Sequence, residues 1–338
     1  VPELNAQWRL AARPVGLPRA SDWEYVEEPA IEPDDGQFQV ALEYLSLDPA
    51  MRGWMNEGRS YVPPVGIGEV MRGLGLARVI DSRHPEFEVG ERVTGQFGIQ
   101  RYAVSDGRGV IRVDTALAPA PVHLGALGMT GLTAYFGLLE IGRPQPGETV
   151  VVSGAAGAVG SVVGQIARIK GCRVVGIAGG PDKCAWLVEE LGFDAAIDYK
   201  GGELRVGLRR HAPDGVDVYF DNVGGDTLDE VLRRIARGAR VVICGAISQY
   251  NALEAPRGPG NYMQLLVERA SMTGFLVFDY AGRYAEAIAQ LAEWRRDGRL
   301  RSREDIVRGG LDQFPEVFLR LFRGENVGKL ILELDGTQ

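Results

Sequence analysis

The sequence predicts an α/β protein in which a β-rich first part is followed by a doubly wound parallel sheet, and three observations carry that prediction. From Thr149 onward, short apolar segments alternate with amphipathic helical ones, the pattern of a parallel sheet covered on both faces. A glycine-rich turn, Gly154-Ala-Ala-Gly-Ala-Val-Gly160, joins the first of these strands to the first helix. Before about residue 120 the texture differs: brief segments alternate apolar and polar side chains between Gly, Pro and Asp, which suits a small closed β structure.

Taken in order, residues 37–46, 75–81 and 91–96 read as strands of the first part. Residues 124–141 form a long apolar stretch of helical character interrupted at Gly131, and the texture changes near Ala126. Thr149–Ser153 is then a strand and 159–169 the helix behind it; 173–177 is the second strand and 181–191 the next helix. Residues 196–199 and 216–220 add two strands, 227–235 a helix, and 240–244 and 271–277 the last two strands. Tyr284–Arg296 and Phe314–Arg323 read as helices, 254–261 as a loop and 329–334 as a returning strand. Each assignment follows the apolar period, near 2 for strands and near 3.6 for helices.

A length of 338 residues allows two domains. Hydrophobic residues at 45% and charged residues at 24% are ordinary for a soluble globular protein. A net charge of −8 and a pI near 5.2 argue against nucleic acid or anionic membrane as partner. Cys172, Cys184 and Cys244 are too few for a disulfide framework and lack CxxC spacing, so a reducing, cytoplasmic home is expected. Val1 to Asn5 show no basic stretch ahead of an apolar run, so no signal peptide is expected. No run approaches the length of a membrane span. Only four of the 37 basic residues are lysines, Lys170, Lys183, Lys200 and Lys329, which is read as codon usage.

The glycine-rich turn is the strongest local signal. Gly157, Ala158, Val159 and Gly160 open a helix directly behind a strand, where backbone N–H groups and the helix dipole can hold a pyrophosphate. Ala155 fills the first position of the G-x-G-x-x-G fingerprint. An NAD site usually places an acidic residue at the tip of the second strand; here that tip is Gly179-Gly180, and Asp182 arrives late, as a helix-start residue. Lys183 can set a cation beside a 2′-phosphate and Tyr199 a hydroxyl, so NADP(H) is favoured over NAD(H). The chain has no cysteine before Cys172, and its histidines, His84, His123 and His211, have no ligand-like spacing; no zinc and no other metal site is expected.

Five stretches carry a resemblance. Leu45-Ser-Leu-Asp-Pro-Ala-Met-Arg52, Gly131-Leu-Thr-Ala-Tyr-Phe-Gly137, Ala155-Ala-Gly-Ala-Val-Gly-Ser161, Phe220-Asp-Asn-Val-Gly-Gly225 and Cys244-Gly-Ala-Ile-Ser-Gln-Tyr250 resemble, in that order, the zinc-independent medium-chain reductases. More narrowly they resemble the branch of prostaglandin, alkenal and curcumin reductases, over nearly the whole chain. The resemblance implies a GroES-like domain of about 1–124 plus 301–338 and a Rossmann domain of about 125–300. It implies NADPH-dependent reduction of the double bond of α,β-unsaturated ketones or aldehydes, in a protein that is commonly a dimer through the edge near 271–277. Carried over by position, Gly157 to Gly160 would cradle the pyrophosphate, Lys183 and Tyr199 the 2′-phosphate, and Asn222 would sit near the cofactor. The loop Cys244, Gly245, Ala246, Ile247, Ser248, Gln249 and Tyr250 would wrap the nicotinamide ribose; Phe275, Leu276 and Val277 would meet the carboxamide, and Asn326 would reach in from the returning segment. The family often has a serine before the lysine of the second strand tip, where this chain has glycine, so one 2′-phosphate contact is expected to be missing.

The implied reaction passes hydride to the β-carbon, builds charge on the carbonyl oxygen and protonates the α-carbon. Such a site needs the reacting carbons about 3–3.5 Å apart and a donor for the enolate oxygen. Tyr250 is the first choice for that donor and Tyr262 the second; the plainer reading of each is cofactor packing or loop anchoring. Tyr44, Met51, Arg52 and Tyr61 are expected to wall the substrate. Arg52 reads either as a carboxylate anchor or as half of a structural ion pair. A quinone reductase on the same framework and a non-catalytic NADPH-binding protein are the alternatives.

Overall fold

Alternating side chains in the first third of the chain fold into strands β1 (Leu4–Leu10), β2 (Trp23–Pro29), β3 (Phe38–Ser46), β4 (Gly75–Ser82), β5 (Arg92–Gly95), β6 (Tyr102–Ser105) and β7 (Ile111–Arg112), with a short helix, α1 (Ala50–Trp54), after β3. The computed structural model describes residues 3–335. The chain divides into a first unit that runs to Leu124 and resumes at Glu304, and a contiguous second unit, Gly125–Arg303.

The second unit opens with α2 (Met129–Phe136), which passes through Gly131 without breaking and widens into a π-helical turn over Gly137–Gly142. Strands and helices then alternate: β8 (Thr149–Ser153), α3 (Ala158–Ile169), β9 (Arg173–Ala178), α4 (Pro181–Ala185), β10 (Ala195–Asp198), α5 (Leu204–His211), β11 (Val216–Asp221), α6 (Gly225–Leu232), β12 (Ile235–Ile243), α7 (Met263–Val267), β13 (Ser271–Gly274) and α8 (Tyr284–Arg296). The strands lie in the order β10-β9-β8-β11-β12-β13 and all are parallel. This is the doubly wound order of a Rossmann sheet, whose topological switch point lies beside the first strand, here β8. Val151, Val175, Tyr219 and Val241 face one side of the sheet and pack under Val231 and Leu232 of α6. Several expected boundaries move: the helix expected over 181–191 is α4 to Ala185 followed by a π-helical turn over Trp186–Glu190. Ile235 starts β12 rather than ending a helix, and β13 stops at Gly274, so Phe275 to Val277 lie outside the strand.

The chain then returns to the first unit with β14 (Glu304–Arg308), α9 (Phe314–Arg323) and β15 (Lys329–Glu333). The sheet there runs β14-β15-β3-β4-β5-β7, with β6 also on β3. It is antiparallel except for β14 on β15, the β-rich GroES-like partner of the Rossmann sheet. Phe314, Phe318 and Leu321 of α9 close its core against Trp23, Leu42 and Leu45. No helix among the described residues is long and apolar enough to cross a membrane.

One ion pair fastens the returning segment. Lys329 is 2% exposed, and its Nζ donates to Leu47 O at 2.9 Å and Asp48 Oδ1 at 2.7 Å; the Ser46 hydroxyl donates to the other carboxylate oxygen. Burial draws the lysine below its usual range despite Asp48 beside it. Removing one partner of a buried pair leaves the other charge uncompensated, at a cost of about 3–5 kcal/mol. Lys329→Ala is therefore expected to lower the stability of the transition that includes the first unit by that much, read from its denaturant midpoint; a change below about 1 kcal/mol would mean the pair is solvated.

Candidate functional site

The expected cradle is built at the carboxyl end of β8. Gly154 takes a left-handed φ of +57°, and the turn closes with Gly157 N–H on Gly154 O at 2.9 Å. α3 begins at Ala158 with no side-chain cap from Gly157. The N–H groups of Ala158, Val159 and Gly160 thus have no intrahelical acceptor, and they point with the helix dipole at the end of a central strand. A Cβ at Gly160 would lie 2.4 Å from Gly154 O and 2.8 Å from Ala155 Cα, so only glycine lets the helix come this close. The arrangement fits the pyrophosphate of a dinucleotide.

A buried carboxylate, not anticipated from the sequence, organises the neighbouring turns. Asp221, the last residue of β11, is 1% exposed. Its Oδ1 accepts from Ser153 Oγ and Tyr219 Oη, each at 2.8 Å, and from Val223 N and Gly224 N, each at 3.0 Å. Its main-chain oxygen accepts from Cys244 N and Gly245 N. Asn222 reaches back to β8, donating from Nδ2 to Ser153 O at 2.7 Å and from its main chain to Ser153 Oγ. Ile247 and Ser248 donate their N–H groups to Asn222 O and Val223 O, so the expected ribose loop is laced onto the turn after β11. Within that loop the Tyr250 hydroxyl accepts from Ala246 N at 3.2 Å, the anchoring half of its two readings. Burial and then the Asp221 charge push the Cys244 thiol up to about 12, which keeps it a neutral packing group.

At the second strand tip, Gly180 N and Lys200 N both donate to Asp198 Oδ1, at 2.8 and 2.9 Å. Those backbone bonds hold the carboxyl below its usual range. Tyr199 is 48% exposed beside this turn, and Lys183 is half-buried in the first turns of α4. Asp182 sits in the first turn of α4, while the cap position belongs to Gly180. An aspartate ahead of Tyr-Lys-Gly-Gly is a turn signal that would have flagged Asp198.

The remaining expected residues disperse. Tyr262 stands exposed at the start of α7. Phe275 packs edge-on against Phe220, and Val277 O accepts from the Tyr284 hydroxyl at 3.0 Å. Asn326, in the first unit, donates to Gly328 O at 3.0 Å. Tyr44 donates to Glu333 Oε1 across the β15–β3 pair. Met51 is 1% exposed in the first unit's core. Arg52 is buried too, and its guanidinium donates to Pro14 O, Gly16 O and Asn56 Oδ1, which ties down the loop around Gly16. Tyr61 is the exposed member of the set and accepts from Trp54 Nε1 at 3.1 Å. Among the described residues, no three His, Cys, Asp or Glu side chains gather where they could hold a metal ion.

Residues 6–113 match the family described as the N-terminal domain of oxidoreductase, and residues 158–293 the family described as zinc-binding dehydrogenase. The chain is 41% identical to the NADPH-dependent curcumin reductase of Escherichia coli (strain K12), over 99% of this chain and 98% of that one. It is 40% identical to prostaglandin reductase 1 of Oryctolagus cuniculus, over 95% of this chain and 91% of the other. The crystal structure of CurA in complex with NADPH from Vibrio vulnificus superposes with a TM-score of 0.92 at 44% identity, covering 98% of this chain and 99% of that one.

Gly160→Ala places a methyl against the Gly154 carbonyl, so the turn has to open. The affinity for a dinucleotide is expected to fall by about tenfold or more, read as Kd in a fluorescence titration. An unchanged Kd would remove the turn from the binding site.

Proposed function

Because the chain belongs to the zinc-independent branch of the medium-chain dehydrogenase/reductase family, we propose that it is an NADPH-dependent reductase of the carbon–carbon double bond in α,β-unsaturated ketones or aldehydes. The observation that carries this reading is the uncapped start of α3 behind β8, with Gly160 pressed against the turn. The curcumin reductase and prostaglandin reductase relatives, and the NADPH complex of the Vibrio protein, support the choice of cofactor and of substrate class.

In this reading the N–H groups of Ala158, Val159 and Gly160 hold the pyrophosphate above the turn that Gly157 closes, and Lys183 and Tyr199 neutralise and hydrogen-bond the 2′-phosphate. Asn222 and the loop from Cys244 to Tyr250 hold the nicotinamide ribose, fixed in place through Asp221. Bound NADPH supplies the hydride. Tyr250 donates to the oxygen on which charge develops; accepting a hydrogen bond from Ala246 N polarises its hydroxyl for that donation. Tyr262 is the second candidate, and Phe275 to Val277 present backbone to the carboxamide. Three unpaired cysteines suit a reducing compartment such as the cytoplasm.

The partner in this reading is a second copy of the chain. β13 is exposed along its length and sits at the sheet edge near exposed Leu266 and Met272, and a bare edge strand invites pairing.

The direct test follows NADPH consumption with a medium-chain enone, its saturated ketone, the allylic alcohol and a quinone, after chelation and with product mass checked. Turnover is expected for the enone alone, giving the saturated ketone. Quinone turnover alone would make the chain a quinone reductase, and NADPH binding without any turnover a non-catalytic protein. Tyr250→Phe is expected to lower kcat by about 10²-fold or more; full kcat/KM would remove it as the donor. Met272→Arg is expected to halve the mass in solution, and an unchanged mass would place the subunit contact elsewhere.

A further inference from the structure

Lys200 lies across the tip of β9, beside the residues assigned to the 2′-phosphate. A Cβ built on Gly179 would sit 2.9 Å from Lys200 Cε, 3.0 Å from Tyr199 Cε1 and 3.1 Å from Tyr199 Oη. The lysine stem and the tyrosine ring therefore lie side by side over bare backbone at the end of the second strand. That is where a doubly wound sheet receives the adenosine ribose and whatever its 2′-oxygen carries.

The placement is enforced. Asp198 Oδ1 ties Gly180 N to Lys200 N, folding the turn after β10 onto the turn after β9. The carboxylate is occupied by these backbone donors, so the groups left at the tip are a hydroxyl and an ammonium. Among the described residues the Lys200 ammonium is within ion-pair distance of no carboxylate, in contrast to Lys329 on Asp48. Gly180 has a φ of +95°, a conformation that L side chains rarely adopt. With bare glycine backbone at Gly179 and Gly180, a polar group for a phosphate at this tip has to come from a neighbouring element.

We propose that Lys200 is a specificity-determining residue that supplies it: its ammonium pairs with the 2′-phosphate beside the Tyr199 hydroxyl, opposite Lys183. This assignment rests on the NADPH reading of the same site. A second cation on a dianionic phosphate, exposed to solvent, contributes in a salt-dependent way.

The test is binding of 2′,5′-ADP and 5′-AMP, which differ only in that phosphate, by calorimetry at low ionic strength on the full-length protein and its Lys200→Met, Lys200→Arg and Lys183→Met variants. Lys200→Met is expected to weaken 2′,5′-ADP about tenfold and 5′-AMP by less than about twofold, with Lys200→Arg keeping most of the affinity. If the unaltered protein prefers 2′,5′-ADP and Lys200→Met keeps that preference while Lys183→Met loses it, the NADPH reading stands and the role of Lys200 is overturned. If the unaltered protein binds the two nucleotides equally, the NADPH reading fails and takes this one with it. Equal weakening of both nucleotides in Lys200→Met would make the lysine a prop for the turn, also overturning the assignment.

Discussion

A single carboxylate oxygen holds the candidate site together. Asp221 Oδ1 gathers two hydroxyls and two backbone N–H groups at the carboxyl end of β11. Through Ser153 it reaches β8, and through its own main-chain oxygen it reaches the loop after β12. Burying a polar group costs free energy unless such hydrogen bonds offset it, so the three strand ends are mutually dependent. Tyr219, fully buried, has its hydroxyl pushed well above the usual range, first by burial and then by Asp221, and remains a donor. The other carboxylate oxygen has no hydrogen-bond partner among the described residues, and the neutral Cys244 thiol feels its charge. Swapping that thiol for an ionised group would unbalance the knot.

From this knot outward the second unit works as a set of turns trimmed by glycine. The cradle needs Gly160 for approach, and the β9 tip needs Gly179 for the same reason. Side chains with charge or hydroxyl stand beside the bare backbone rather than on it. N–H groups stand free at the start of α3, and the Lys200 stem lies beside Gly179 at the β9 tip.

Much of this architecture is legible in the residues alone, and the exceptions have physical causes. Thr149–Ser153, Tyr284–Arg296 and Phe314–Arg323 fall where the apolar period places them, because each buries one unbroken face or stripe. The helical spacing of Val231 and Leu232 predicts that Ile235 closes a helix, but tertiary pairing with Val216 claims it for β12. α5 leaves little trace in the sequence, since charged residues outnumber the buried Gly207 and Leu208 on its surface. At the site, the Gly157 to Gly160 turn is legible as a strand–glycine–helix junction. Asp221 lies within a motif, yet nothing in a linear sequence says that four donors converge on it. The burial of Met51 and Arg52 is equally invisible in the sequence, because a motif carries its core residues along with its others. Lys200 carries no local signal, because its approach to Gly179 depends on Asp198 bonding Gly180, 18 residues away.

The first unit's sheet joins strands from opposite ends of the chain: β3 is complete by Ser46, yet its neighbour β15 begins at Lys329. During synthesis the contiguous second unit has all its strands well before then. The first unit waits, with one side of β3 unpaired and Asp48 without its lysine, until the whole of the other has been made. Closing a loop of that length adds only slowly to the entropic cost but makes the pairing late and exposed. The contiguous unit can therefore complete its sheet before the interrupted one, whose β3 gains its second neighbour and whose Asp48 gains its lysine only with β15.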